Sequence, residues 1–189
     1  MESENKAVFL DRDGVLIEDV HYLSKLKQVS IYEDVPKSLS LLKKKGFKLI
    51  LVSNQSGVAR GYFDEAFVKE THKYLNRLLE QNDAKLDAEY YCPHHVDGQN
   101  PYNIDCNCRK PAPGMVLQAA QEHNINLALS FVIGDKTSDI ELAENTGCKG
   151  ILVTTGHGCE HSSKVQTKYP HIPIVNSFSD AVSFITNHS

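Results

Sequence analysis

The sequence predicts an α/β fold: a doubly wound, mostly parallel sheet flanked by helices. Two observations carry this. Short apolar runs alternate with helical segments along the whole chain, which is the pattern of successive βα units. Three of the runs also stop abruptly at small polar or acidic residues. Val8-Phe9-Leu10 ends at Asp11, Leu51-Val52 at Ser53, and Val132-Ile133-Gly134 at Asp135. In an open parallel sheet, ligands bind beyond the carboxyl ends of the strands. The three runs therefore deliver Asp11 with Asp13, Ser53 and Asp135 to one edge.

The elements follow in order. Residues 7–10 read as a short buried strand. The stretch from Asp11 to about Ser30 is a long loop, and long loops in compact domains tend to carry function. Residues 34–45 are helical, with Leu39, Leu41 and Leu42, a lysine-rich last turn that suits a helix C-terminus, and Gly46 as the stop. Residues 47–52 are a second buried strand, and residues 64–82 a helix with Phe67, Leu75, Leu78 and Leu79 on one face. A third strand, about 88–91, runs into Cys92. The stretch from Cys92 to Pro113 holds too much cysteine, histidine, proline and asparagine to be regular. A helix over 114–123, a strand over 131–133 and a helix over 137–146 follow, the last closed by Gly147 in the C-cap position. Residues 150–153 are the fifth strand, Gly156–His161 a polar loop, and 172–175 and 178–186 a last strand and helix. With 189 residues, one domain over 1–189 is expected, without a separate cap domain.

Composition narrows the function. The net charge of -4 offers no basic surface for nucleic acid and no polybasic membrane anchor. No apolar run approaches the roughly 18 residues that cross a bilayer. Met1-Glu2-Ser3-Glu4-Asn5-Lys6 leads straight into the first strand without a signal peptide, so a cytoplasmic protein is expected. No long apolar helix face is left over, so a monomer acting on a small molecule is expected.

Asp11, Asp13 and Asp135 suit a hard divalent cation, and magnesium suits them best, because it takes a few carboxylates, keeps waters and completes its shell with phosphate. Ser53 adds a hydroxyl donor, and Arg109 and Lys110 add positive charge. Asp-x-Asp-Gly alone would also suit a surface turn. Together with the other strand ends it forms the inventory for phosphoryl transfer, where positioning and charge neutralisation do most of the catalysis.

Five cysteines are present, an odd count, with Cys92, Cys106 and Cys108 clustered. That argues for metal binding rather than a disulfide framework. Cys92-Pro93-His94 and Cys106-Asn107-Cys108 offer three thiolates and one imidazole, a filled tetrahedral set and hence a structural zinc site, in a loop over 92–110. The symmetry of the two x-spaced pairs selects His94 over His95. Cys148 reads as a small buried residue. Cys159, in the Gly156–His161 loop, has no ligand pair at zinc-finger spacing.

Asp11-Arg12-Asp13-Gly14, Ser53-Asn54-Gln55, Lys110 and Gly134-Asp135-Lys136 with Asp139 resemble, in order, the four motifs of the haloacid dehalogenase (HAD) phosphatase superfamily, across residues 7–154. With the zinc-loop sequences and the stretch to Gly61, they resemble the bacterial D-glycero-D-manno-heptose 1,7-bisphosphate 7-phosphatases over nearly the whole chain. Val15 departs, standing where many HAD proteins have threonine. The resemblance implies an HAD-like, Rossmannoid fold and a two-step reaction. Asp11 is the expected nucleophile, forming an aspartyl-phosphate, and Asp13 the general acid and base. Ser53 and Lys110 hold the phosphoryl group. Magnesium is expected on Asp11, Asp135 and the Asp13 backbone carbonyl. Asp19, His21, Tyr22, Asn54, Gln55 and Arg109 are expected at the substrate, with Lys136 and Asp139 behind them. The substrate implied is a sugar bisphosphate on the route to ADP- or GDP-heptose. Histidinol-phosphate phosphatases share the motifs and a zinc loop, but a shorter one than here, where 11 residues separate His94 from Cys106. The acidic charge opposes a DNA 3′-phosphatase. The complete set of motifs opposes a zinc-stabilised binding module without turnover.

Overall fold

The computed structural model describes residues 4–188. Six parallel strands form one sheet: β1 (Lys6–Leu10), β2 (Phe47–Asn54), β3 (Ala88–Cys92), β4 (Phe131–Gly134), β5 (Lys149–Val153) and β6 (Ile174–Val175), in the order β3-β2-β1-β4-β5-β6. The helices are α1 (Val35–Lys44), α2 (Glu65–Glu80), α3 (Gly114–His123), α4 (Thr137–Thr146), α5 (Gly158–Lys168) and α6 (Phe178–His188). The doubly wound α/β fold is borne out.

Strand alternation builds two cores. Val8 and Leu10 of β1, with Leu49 and Leu51 of β2 and Ile133 of β4, face α1, α2 and α6 through Leu39, Leu42, Leu75, Leu79, Val182 and Ile185. Ala7, Phe9, Ile50, Val52 and Val132 face the opposite way, toward Met115, Val116 and Ala119 of α3 and Leu142 and Ala143 of α4. Full burial of each large apolar side chain contributes about 1.5–3 kcal/mol. Strands buried on both faces have no polar side to show, so they read as continuous apolar runs.

The strand order reverses between β1 and β4, since the chain leaves β1 for β2 and leaves β4 for β5 on the other side. Beyond their carboxyl ends lies the crevice in which open α/β sheets bind ligands. The register Leu10↔Ile133 sets the two strand ends side by side there.

Three local expectations are corrected. Leu41 is exposed, because the inward stripe of α1 runs through Val35, Ser38, Leu39 and Leu42. The Asp11–Ser30 loop is pinned by bridges pairing Asp13 with Ile17 and Ile17 with Ile31, and it contains a 3-10 turn over Leu26–Gln28. The expected polar loop at Gly156–His161 instead runs into α5, a helix with only Gly158 and Val165 buried.

Candidate active site

Asp11 is the first residue past β1, and its backbone N–H donates to Ile133 O of β4 at 3.1 Å, closing the crevice. Its carboxylate is buried. Oδ1 accepts from Arg12 N at 2.8 Å and pairs with Lys110 Nζ at 2.9 Å, while no described residue donates to Oδ2. Lys110 arrives from the loop after β3, and its buried Nζ also meets Asp139 Oδ1 at 2.6 Å and donates to Val52 O at 3.0 Å. Burial works against the ammonium, but Asp11 and Asp139 outweigh it and raise the pKa of Lys110 above the ordinary lysine range. Burial would likewise raise Asp11. The charges of Lys110 and Lys136 prevail and hold it below its usual value.

Asn54 fixes the main chain of Lys110 from both sides, donating to its O at 3.1 Å and accepting from its N at 3.0 Å. Gln55 donates from Nε2 to Asp13 Oδ2 at 3.1 Å and to Ser53 Oγ at 2.8 Å, and accepts from Arg12 Nη2 at 3.1 Å. Both amides, expected to face substrate, are engaged by the protein, and they position Lys110 and Asp13. Arg12 is buried and pairs with Asp13 Oδ2 at 3.0 Å. Sequence reading passed over Arg12, since an arginine between two acids looks solvated. The side chain of Asp13 is 19% exposed against 7% for Asp11, so Asp13 is the carboxylate with a way to solvent.

Asp135 follows β4. Its Oδ2 accepts from His157 N at 2.8 Å, and its buried Oδ1 makes no hydrogen bond, with Lys136 Nζ 3.7 Å away. Gly14 (φ +84°) and Gly156 (φ +55°) wrap this carboxylate, and a Cβ on either would come within 2.3 or 2.4 Å of Oδ2. Conformation and space both require glycine at these two positions. Burial first, and then the charge of Asp11, push Asp135 up to about 7. Asp139, in the first turn of α4, has both oxygens engaged: Oδ2 accepts from Lys136 N at 3.0 Å, and Oδ1 pairs with Lys110.

Five carboxylates here, Asp11, Asp13, Asp19, Asp135 and Asp139, face three cations, Arg12, Lys110 and Lys136, an excess of two negative charges. Ligand oxygens of Asp11, Asp135 and Asp139 lie within 4.8 Å of one another. Asp11 and Asp135 each present an uncommitted oxygen. The donor set therefore fits one hard divalent cation.

The cysteine loop packs behind this site. Cys92 Sγ lies 3.5 Å from Cys106 Sγ and 3.1 Å from Cys108 Sγ, and the last two are 3.3 Å apart. His94 Nδ1 sits 3.3 Å from Cys108 Sγ and 3.8 Å from Cys92 Sγ. Zn–S bonds of about 2.3 Å give tetrahedral edges of about 3.8 Å, so these four atoms fit zinc with little adjustment. His95 stands apart, its Nε2 3.4 Å from Arg60 Nη2. Arg109 donates from Nη1 to His94 O at 3.1 Å, so the loop holds Arg109 in place and Lys110 follows it directly.

An HAD-hydrolase-like family model matches residues 107–181. The chain is 40% identical over 181 residues to the D-glycero-beta-D-manno-heptose-1,7-bisphosphate 7-phosphatase of Pasteurella multocida, covering 95% of this chain and 96% of that one. Against the enzyme of the same name from Haemophilus influenzae, identity is 43% over 153 residues, 80% of this chain and 83% of the other. The crystal structure of D,D-heptose 1,7-bisphosphate phosphatase from B. bronchiseptica, complexed with magnesium and phosphate, superposes with a TM-score of 0.86 at 29% identity, over 97% of this chain and 99% of that one. The chain belongs to the heptose bisphosphate 7-phosphatase family. It is a phosphatase of the HAD superfamily, a phosphoric monoester hydrolase, as the motifs led us to expect.

In this HAD phosphatase the long loop after β1 lies over the crevice. Asp19 Oδ2 is 3.6 Å from Lys136 Nζ, and the exposed Tyr22 packs on Tyr62 with ring centroids 4.4 Å apart. His157, which the sequence reading assigned only to a polar loop, enters through its backbone at Asp135 and its ring at Asp19, 3.3 Å from Oδ2.

Proposed function

We propose that this protein removes the C7 phosphate of D-glycero-β-D-manno-heptose 1,7-bisphosphate through an aspartyl-phosphate, in the synthesis of nucleotide-heptose precursors. The observation that supports it most is the 40% identity to the Pasteurella multocida enzyme over 95% of this chain.

Asp11 attacks phosphorus, and the bond from phosphorus to the C7 oxygen breaks. Asp13 gives its proton to the departing alkoxide, then takes a proton from the water that attacks the phosphoaspartate, freeing phosphate and Asp11. Arg12 and Gln55 aim Asp13, a group of a kind that contributes about 10²–10⁴-fold. Lys110 and Ser53 hold the phosphoryl oxygens. Asp11, Asp135 and the Asp13 backbone carbonyl would hold magnesium, which would supply neutralisation of phosphoryl charge. Asp19, His21, Tyr22 and Arg109 contact the sugar or the distal phosphate, with Lys136 and Asp139 supporting the site. The reading includes a single domain acting as a cytoplasmic monomer. No helix among the described residues is long and apolar enough to cross a membrane.

The test is phosphate release from α- and β-heptose bisphosphates, fructose bisphosphate and histidinol phosphate, with phosphorus NMR to identify the phosphate lost. The β-heptose compound is expected to react fastest and to keep its anomeric phosphate. Faster release from histidinol phosphate would overturn the reading.

The zinc is structural in this proposal, since four protein ligands leave no position for water. Its binding free energy is folding free energy for a loop so poor in apolar residues. Cys108→Ser is expected to lose zinc, keep the circular dichroism of the sheet, and lose most turnover as Arg109 and Lys110 shift. Elemental analysis should find about one more zinc per wild-type chain than per Cys108→Ser chain. Unchanged kinetics after joint replacement of Cys92, Cys106 and Cys108 would contradict it.

A further inference from the structure

We propose that Asp19, His21 and His157 form a second metal site, at the mouth of the crevice, for a divalent cation of the zinc class. It takes the imidazoles of two loops far apart in sequence, one after β1 and one before α5. Their ligand atoms lie within 4.8 Å of one another with the Asp19 carboxylate.

The local geometry aims these donors at a common point. Asp19 Oδ1 accepts from His21 N at 2.7 Å and fixes a left-handed turn at His21, φ 64°. Few residues other than glycine adopt that conformation. The turn leaves Asp19 Oδ2 toward His157 Nε2, 3.3 Å away, and sets the two imidazole centroids 6.2 Å apart. On its far side, His157 Nδ1 lies 3.2 Å from Glu160 Oε2. A carboxylate on the outer nitrogen is the usual way a metal-binding histidine is oriented, with the inner nitrogen left for the ion. The donors open on a cavity of about 400 Å³, which Glu18 and Glu160 also line.

The donor chemistry separates this site from the neighbouring carboxylates. Two imidazoles and one carboxylate suit zinc, nickel or copper, whereas the oxygen-only set at Asp11 and Asp135 suits magnesium. Three protein ligands leave a fourth position open to the cavity. Lys136 Nζ, 3.6 Å from Asp19 Oδ2, is the resident competitor, and it keeps Asp135 as a second partner when an ion takes Asp19. In the proposed function Asp19 and His21 contact the substrate, so an ion held there would compete with it. The metal site itself does not depend on which phosphate ester is hydrolysed.

The experiment titrates Zn²⁺ into protein whose cysteine loop is zinc-loaded and whose magnesium site is saturated. Calorimetry supplies the stoichiometry, and imidazole nitrogen NMR the ligands. We expect about one further equivalent per chain, from one three-ligand set, with ring-nitrogen shifts at His21 and His157. His157→Gln should abolish that equivalent while elemental analysis still finds the cysteine-loop zinc. Glu160→Gln, which keeps all three ligands, should weaken it about 10–100-fold. No further equivalent in the wild type, an equivalent retained by His157→Gln, or shifts confined to other histidines would each overturn the proposal.

Discussion

Asp11→Asn is expected to abolish phosphate release and leave the fold intact. The amide is nearly isosteric, and its oxygen can still accept from Arg12 N and Lys110 Nζ, as Oδ1 of Asp11 does. It cannot attack phosphorus. The loss should exceed the roughly 10²–10⁴-fold that a general acid–base group contributes, because the substitution removes the nucleophile itself. The electrostatic consequence has a definite sign. The charge of Asp11 is among the causes that push Asp135 up to about 7, so the pKa of Asp135 should fall in the variant. Acid-quenched wild type, trapped during turnover, should carry a phosphoaspartate that the variant lacks. A folded variant with substantial turnover would rule out the covalent route.

Lys110→Met should be the most destabilising change at the site. It leaves Asp11 and Asp139, both buried, facing each other without the ammonium they share. Removing one partner of a buried ion pair costs about 3–5 kcal/mol. Wild-type Asp11 lies below its ordinary value of 3.8, so it contributes stability above that pH that is lost as pH falls. Asp139 already lies above 3.8 through burial, and Lys110 is the first influence opposing that. Without Lys110 both carboxyls should titrate higher when folded than unfolded, and such groups bind protons more tightly in the native state. Variant stability should then decline as pH rises through that window. The gap between wild type and variant should accordingly narrow as pH is lowered toward 4, measured as urea midpoints across the range. A variant within about 1 kcal/mol of wild type at pH 7 would contradict the shared-cation picture, since that is the value of an exposed pair.

Legibility followed the range of the interactions. The strands were readable because burial on both faces leaves uninterrupted apolar runs such as Leu49–Val52. α2 was readable from its periodicity, although its inward stripe is Val68, Thr71, His72, Leu75 and Leu79, with Phe67 and Leu78 half-buried beside it. α5 was not, because Gly158–Lys168 presents little but Val165 to the sheet, and a helix without an apolar stripe leaves no period to detect.

By itself, the sequence determined the strand-helix alternation, the acids delivered to the ends of β1 and β4, and the paired spacing of Cys92, His94, Cys106 and Cys108. Each is a local property: a period, a strand terminus or a short spacing. Only the tertiary structure decided that Arg12 reaches Gln55, 43 residues away, to aim Asp13. It alone set Lys110 between Asp11 and Asp139 and brought His157 to Asp19 and Asp135. Those contacts join loops from different strands, and no local pattern encodes them. Their geometry follows from the sheet order β3-β2-β1-β4-β5-β6, which sets β1 beside β4 and makes the ends of distant strands neighbours.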